Sequence, residues 1–146
     1  MKKFELTSEF VTFLGKTLFR IKALVSFGDV AEGELGGFIE RENNLDQSGN
    51  AWVYGDAWVY GDARVCGDAW VQNCRDYSAT SCFGSENRTT TFFRTKDGGI
   101  SVRCGCFYGT LREFREKVKE RHGDSRLAKE YLMLADLMEF RLSKDE

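Results

Sequence analysis

Residues 51–74 read AWVYGD, AWVYGD, ARVCGD and AWVQNC, four consecutive copies of one six-residue pattern. A strict short period is typical of a repeat architecture, and it outweighs local propensity. One copy supplies a short strand and a turn, so three copies, or 18 residues, are expected to close a three-sided coil. The valines should point inward, the alanines should occupy crowded corners, and each Gly-Asp pair should make a sharp turn. The valines are Val53, Val59, Val65 and Val71, and the alanines are Ala51, Ala57, Ala63 and Ala69.

The sequence before the repeats predicts strands and a tight approach. Residues 9–25 alternate apolar and polar side chains around Gly15-Lys16, which is typical of a β-hairpin. Gly36-Gly37 requires backbone freedom or close packing. Ile39 and Leu45 lie six residues apart, in phase with the repeat alanines, so the coil is expected to begin near residue 38.

The sequence after the repeats predicts a hairpin followed by two helices. Two strands flank Asp97-Gly98-Gly99, a turn signature. Thr110 and Glu113 form a capping box that opens a helix, and a second helix is expected from about Ser125. The predicted fold class is therefore mainly β: a hairpin and a short β-helix over residues 1–88, then an α+β segment of a hairpin and two helices over residues 89–146.

Composition and charge exclude several classes of protein. The 146 residues carry a formal net charge of −2, and residues 1–90 hold nine basic against thirteen acidic side chains. That balance opposes phosphate binding, so direct nucleic-acid binding is not expected. No apolar run approaches the roughly 18–20 residues of a membrane span, so no membrane contact is expected. Five cysteines without secretory features indicate reduced thiols in a cytoplasmic protein.

The repeats resemble those of the left-handed β-helix hexapeptide proteins. The stretch from Gly33 to Glu40, followed by Asn44-Leu45 and residues 49–54, is similar to a subgroup of small phage and prophage proteins loosely labelled transferases. The resemblance covers about residues 5–75, half of the chain, and its motif is far more specific for fold than for function. It implies a left-handed coil, a phage or prophage origin and location in the host cytosol. The family commonly forms trimers, so a homo-oligomer, either dimer or trimer, is expected.

The family label implies acyl transfer, for which such enzymes use a histidine between subunits. The only histidine, His122, lies outside the repeats at the end of a basic helix, where it is expected to cap helix carbonyls or simply to be exposed to solvent. Cys104 and Cys106 lack an activating motif and are spaced too tightly for a zinc knuckle, and no phosphate-binding loop is present. The sequence therefore predicts no catalytic residue, no metal and no cofactor, with an acyltransferase as the alternative.

Two surfaces remain as candidates for binding. Aromatic side chains flank the inward valines and are expected to point outward, and exposed Trp and Tyr are enriched in interfaces. The 18-residue spacing stacks Trp52 with Trp70 on one wall of the coil. In the alternative interpretation, the hairpin and the helices fold back over these rings. The predicted binding surface is Trp52, Tyr54, Trp58, Tyr60 and Trp70; the second candidate, a face for an anion or an acidic partner, is Arg103, Arg112, Arg115 and Lys119.

Together these features predict a non-catalytic phage or prophage accessory protein that binds a protein or a small ligand. Counter-defence is expected by analogy, either as an anti-CRISPR or other inhibitor of a host protein complex, or by capture of a signalling nucleotide. A structural self-assembly module is the other alternative to an acyltransferase.

Overall fold

The computed structural model describes residues 2–73, 75–83, 88–105 and 107–143, and it begins with the predicted hairpin. Strand β1 (Phe4–Phe13) pairs antiparallel with β2 (Lys16–Ala23). Leu14 and Gly15 form the two-residue turn, with φ of 50° and 79°. Positive φ at both central positions matches the right-handed twist of the paired strands, although Leu14 carries a side chain that disfavours it.

The glycine pair lies in β3 (Leu35–Ile39), which adds antiparallel to β2 and packs closely on the repeats. A Cβ on Gly36 would lie 2.6 Å from the carbonyl oxygen of Val53, and one on Gly37 would lie 2.5 Å from that of Ala57. Neither space admits a side chain. The close packing predicted for this pair is therefore confirmed.

The repeats form short parallel pairings. Three two-residue strands arise in them: β4 (Trp52–Val53), β5 (Trp58–Val59) and β6 (Trp70–Val71). Strand β4 pairs with β6, β5 pairs with β3, and Leu45 bridges Val65. The four repeat valines are at most 1% exposed and the four alanines at most 4%, which confirms that both sets are buried. The described residues form several small sheets and no closed solenoid.

The segment that precedes the repeats pairs with different repeat positions from those predicted. Ile39 pairs with Val59 and Leu45 bridges Val65, so both align with valines and not with alanines. The turn over residues 46–51 has six residues, two more than the four of the corresponding turn over residues 66–69. The predicted phase was wrong because the period of the repeats does not specify the length of a turn outside them.

The second sheet is antiparallel, with its strands in the order β10-β9-β8-β7. Strand β8 carries Phe92 and Phe93, whose side chains alternate between its two faces. Phe93 belongs to the core of the repeats, and Phe92 belongs to a second core beneath the helices. The sheet therefore joins the two halves of the molecule. Its strands are β7 (Tyr77–Phe83), β8 (Arg88–Arg94), β9 (Ile100–Cys104) and β10 (Phe107–Thr110).

Two helices follow as predicted. Helix α1 (Leu111–His122) begins at the capping box, where Thr110 accepts from the Glu113 amide and Glu113 from the Thr110 amide. Helix α2 (Arg126–Leu142) is capped by the Ser125 hydroxyl oxygen, which accepts from the amide of Ala128. The mainly β class with a C-terminal helical pair is thus confirmed. Among the described residues, no helix combines the length and the apolarity needed to cross a membrane.

Candidate ligand-binding groove

Trp52 lies in the core of the molecule. Its side chain is 0% exposed and meets the rings of Phe4 and Phe27 edge-on, at centroid distances of 6.4 and 5.3 Å. The prediction that Trp52 forms part of an exposed surface is wrong, because the N-terminal hairpin and the loop after it cover this side of the repeats. For this ring, the alternative in which the chain folds back is the correct one.

Trp70 pairs with Trp52 in the backbone, as the 18-residue spacing predicts, but its environment differs. It is half-buried and meets the ring of Tyr54 edge-on, at a centroid distance of 6.0 Å. Burial raises the pKa of Tyr54, and the nearby charges of Asp29 and Glu34 add to this effect. These two aromatic residues form a small patch outside the groove described next.

Trp58 and Tyr60 line an open groove of about 870 Å³. Both rings are half-buried, and both contact Phe13 from the end of β1, with ring centroids 5.1 and 5.6 Å from it. Tyr77, at the start of β7, lines the same groove. The hairpin, the second repeat and the second sheet therefore bring four aromatic residues to one concave site, of which the sequence predicted two.

The charges in the groove are not equally compensated. Asp56 lies 3.2 Å from the Arg20 guanidinium, and Asp62 lies 3.4 Å from that of Arg41. Lys16 and Arg141 also line the groove, and neither side chain has an ion-pair or hydrogen-bond partner within the described part of the chain. Arg20 also pairs with Glu9, and Arg41 also pairs with Glu40, so each of these arginines is shared by two carboxylates. Among the described residues, the two groove cations have no such counter-charge.

Polar groups complete the lining without supplying an obvious catalytic pair. Gln72 and Asn73 contribute amides, and Ser78 and Thr89 contribute hydroxyls. No histidine and no cysteine is among the described residues that line the groove. This arrangement of rings, amides and cations is able to hold a ligand by stacking, hydrogen bonds and charge.

The second candidate face does not form one cluster. Arg115 donates to Asp136 at 2.8 Å and to Glu139 at 2.7 Å, so its charge is compensated within the protein. Arg112 lies 3.6 Å from Glu116 on the exposed side of α1. Arg103 lies on β9 and donates to the carbonyl oxygen of Gly105, and Lys119 lies on an exposed part of α1. Arg112 and Arg115 share one concave region, and Arg103 lines another.

His122 and the described thiols lie away from the groove. His122 ends α1 and stacks on Tyr131, with ring centroids 5.8 Å apart. Burial raises the pKa of the Cys66 thiol, and Cys104 Sγ accepts a hydrogen bond from the hydroxyl of Thr90 at 3.2 Å. Cys74 and Cys106 lie outside the described residues, as does the side chain of Cys82. Within the described residues, no three His, Cys, Asp or Glu side chains are grouped to hold a metal ion.

Lys3 is a buried cation that the sequence did not single out. Burial lowers its pKa from 10.5 to about 8, and the charge of Asp46 opposes this only in part. Its ammonium donates to the carbonyl oxygens of Gly49 and Ala51, at 3.3 and 2.8 Å, and lies 4.8 Å from the ring centroid of Phe27. Lys3 therefore ties the start of the chain to the turn before the repeats, on the side where Trp52 is covered.

The sequence missed the groove residues contributed from outside the repeats. Phe13 and Lys16 flank the hairpin turn, Tyr77 begins the second sheet, and Arg141 lies in the last turn of α2. Of these four residues, only Phe13 and Lys16 could be placed from the local sequence. They lie on either side of a tight turn, and such residues lie at the end of a hairpin. No protein-family model matches the sequence, and a comparison with curated proteins finds no match.

Proposed function

We propose that this chain is a non-catalytic binding protein that holds its ligand or partner in the aromatic groove. The observation that carries the proposal is the convergence of Phe13, Trp58, Tyr60 and Tyr77 on one groove of about 870 Å³. Cavities of this size and composition are typical of ligand sites, and Trp and Tyr dominate the energetics of binding surfaces. The only histidine of the sequence, His122, ends α1 and stacks on Tyr131, and it is not among the described residues that line the groove.

The setting that we propose is a phage or prophage accessory protein in the host cytosol. Its role there is counter-defence, either by blocking a host protein complex, as an anti-CRISPR does, or by capturing a signalling nucleotide. The parallel pairings at three positions support a further proposal, that the chain from about residue 38 through the repeats forms a short left-handed β-helix. These proposals rest on the repeats and on the resemblance that they carry.

The repeats provide a matched control for testing the groove. Trp58 and Trp70 occupy the same position of the hexapeptide and are both half-buried, but only Trp58 lines the groove. We expect tagged wild-type protein and Trp70→Ala to capture the same partner or small molecule from lysate of phage-infected cells, detected by native mass spectrometry, and Trp58→Ala to lose it. Identical captured species in all three samples would contradict the proposal.

Self-association is a second candidate, and one observation favours it. Met133, Leu137 and Phe140 lie on α2 at i, i+4 and i+7 and are 70%, 55% and 81% exposed. These spacings place them on one face of the helix. We expect light scattering to give the mass of a dimer or trimer for the wild type and for Lys119→Ala, which changes an exposed lysine on α1, and that of a monomer for Leu137→Glu. A monomeric wild type would eliminate this candidate and leave the groove proposal unaffected.

A further inference from the structure

We infer that the groove takes a planar anion of the nucleotide class, an inference that rests on the function proposed above. Planar ligands are favoured by the rings. Trp58 is half-buried, so one part of its surface is held by Phe13 and another part stays open to the groove. Tyr60 is held by Phe13 in the same way, at an interplanar angle of 62°. Rings fixed by neighbours lose little entropy when a base stacks on them.

An anion is favoured by the distribution of charge. Lys16, at the start of β2, and Arg141, near the end of α2, come from distant parts of the chain, yet both line the groove. A lysine and an arginine that have no partner among the described residues are typical donors for phosphate oxygens. The groove carboxylates Asp56 and Asp62 each lie within ion-pair distance of an arginine, which a second carboxylate shares, so their charge is compensated in part within the protein.

The size and the polar groups of the groove fit the same ligand class. About 870 Å³ exceeds what a phosphate ion alone would fill and lies within the range of about 300–1,000 Å³ found for small-molecule sites. Gln72 supplies an amide that both donates and accepts, as the edge of a nucleobase requires, and Asn73 supplies an amide donor, since its Oδ1 accepts from the Arg75 amide at 2.8 Å. Rings, amides and cations together match a base and its phosphate.

The direct test is calorimetric titration of the full chain with adenosine 5′-monophosphate. Adenosine and inorganic phosphate serve as the two separate parts of this probe. We expect the nucleotide to bind about tenfold more tightly than adenosine, and phosphate alone to bind more weakly still. Trp58→Ala should weaken nucleotide binding about tenfold or more, as the loss of one stacking partner does, whereas Trp70→Ala should not change it.

Charge is tested separately from stacking. Lys16→Gln and Arg141→Gln should each weaken nucleotide binding about three- to tenfold and leave adenosine binding unchanged, whereas Lys22→Gln, on the same strand as Lys16, should change neither. The inference is overturned if no nucleotide binds, or if Trp58→Ala and Trp70→Ala bind it equally well. If no nucleotide binds but Trp58 is still required for capture of a protein, the groove holds a protein segment: the ligand class is then wrong and the proposed function stands.

Discussion

Residues 51–56 and residues 57–62 have the same sequence, AWVYGD, and yet their aromatic side chains have different environments. Trp52 is part of the core, enclosed by Phe4 and Phe27, whereas Trp58 lines a groove beside Phe13. The valines of the two copies, Val53 and Val59, are both fully buried. The repeat therefore specifies which side chains are buried between paired strands, and the segments that pack on the repeats decide what happens to the rest. Identical local sequence gave one structural and one candidate binding residue.

The largest effect expected from this difference is on stability. Trp52→Ala should lower the free energy of unfolding by about 3–5 kcal/mol, since it opens a cavity beneath the hairpin. Trp58→Ala should cost less than about 2 kcal/mol, because part of its surface is already in water. Urea denaturation of both variants measures the two costs. Equal losses would mean that the two copies have the same environment in solution.

The contact of β3 with the repeats can be tested at its glycines. Gly37→Ala would place a Cβ against the carbonyl oxygen of Ala57 in the second copy, so we expect a loss of about 2–3 kcal/mol. Gly55→Ala is the control, because φ is +58° there but no atom lies within 4 Å of the added Cβ, and a cost of about 1 kcal/mol is expected. The measurement is the melting temperature of each variant, and Gly37→Ala should have the lower one. A Gly37→Ala variant that is more stable than Gly55→Ala would contradict the close packing.

The stability of the protein should depend on pH through Lys3, which lies on the side of the repeats where Trp52 is covered. The pKa of Lys3 is about 8 in the folded protein and 10.5 in the reference state, so the unfolded chain binds the proton more tightly. Stability should therefore increase as pH rises from 8 to 10.5, by about 1–3 kcal/mol. Lys3→Met should remove this increase, while the tyrosines and thiols that titrate in the same range are common to both proteins. The measurement is the free energy of unfolding of the wild type and of Lys3→Met across this pH range. Profiles that run parallel for the two proteins would contradict the role given to Lys3.

The smallest effect is expected at the turn that presents the groove's hairpin residues. Leu14 has φ of 50° and is 81% exposed, so its side chain gains nothing from burial and disfavours the backbone conformation. Leu14→Asn should stabilise the protein by about 0.5–1 kcal/mol, because Asn-Gly is the preferred sequence for this turn. Thermal unfolding measures the gain. A loss of stability would show that Leu14 makes contacts that its exposure does not indicate. The affinity for the nucleotide should be unchanged, because Phe13 and Lys16 are retained.

Much of the fold was accessible from sequence because its signals are local. The hairpin was readable from alternation around Gly15, the helix start from the capping box of Thr110, and the buried valines from the period of the repeats. The alignment of Ile39 and Leu45 was not readable, because it depends on a turn whose length follows no period. Half of the groove's rings were found because Trp58 and Tyr60 lie in the repeats. Tyr77 and Arg141 were not found, because they reach the groove only through the second sheet and α2.

The sequence by itself determined the first hairpin, the two C-terminal helices and the buried face of the repeats, since each depends on residues that are close in the chain. Tertiary structure alone decided which tryptophan is enclosed and which is available, because that depends on where the hairpin and the second sheet pack. The same indole is buried where Phe4 and Phe27 cover it, and half-open where Phe13 and Tyr60 leave space beside it. A repeat fixes its own geometry, and its neighbours fix what each copy is able to bind.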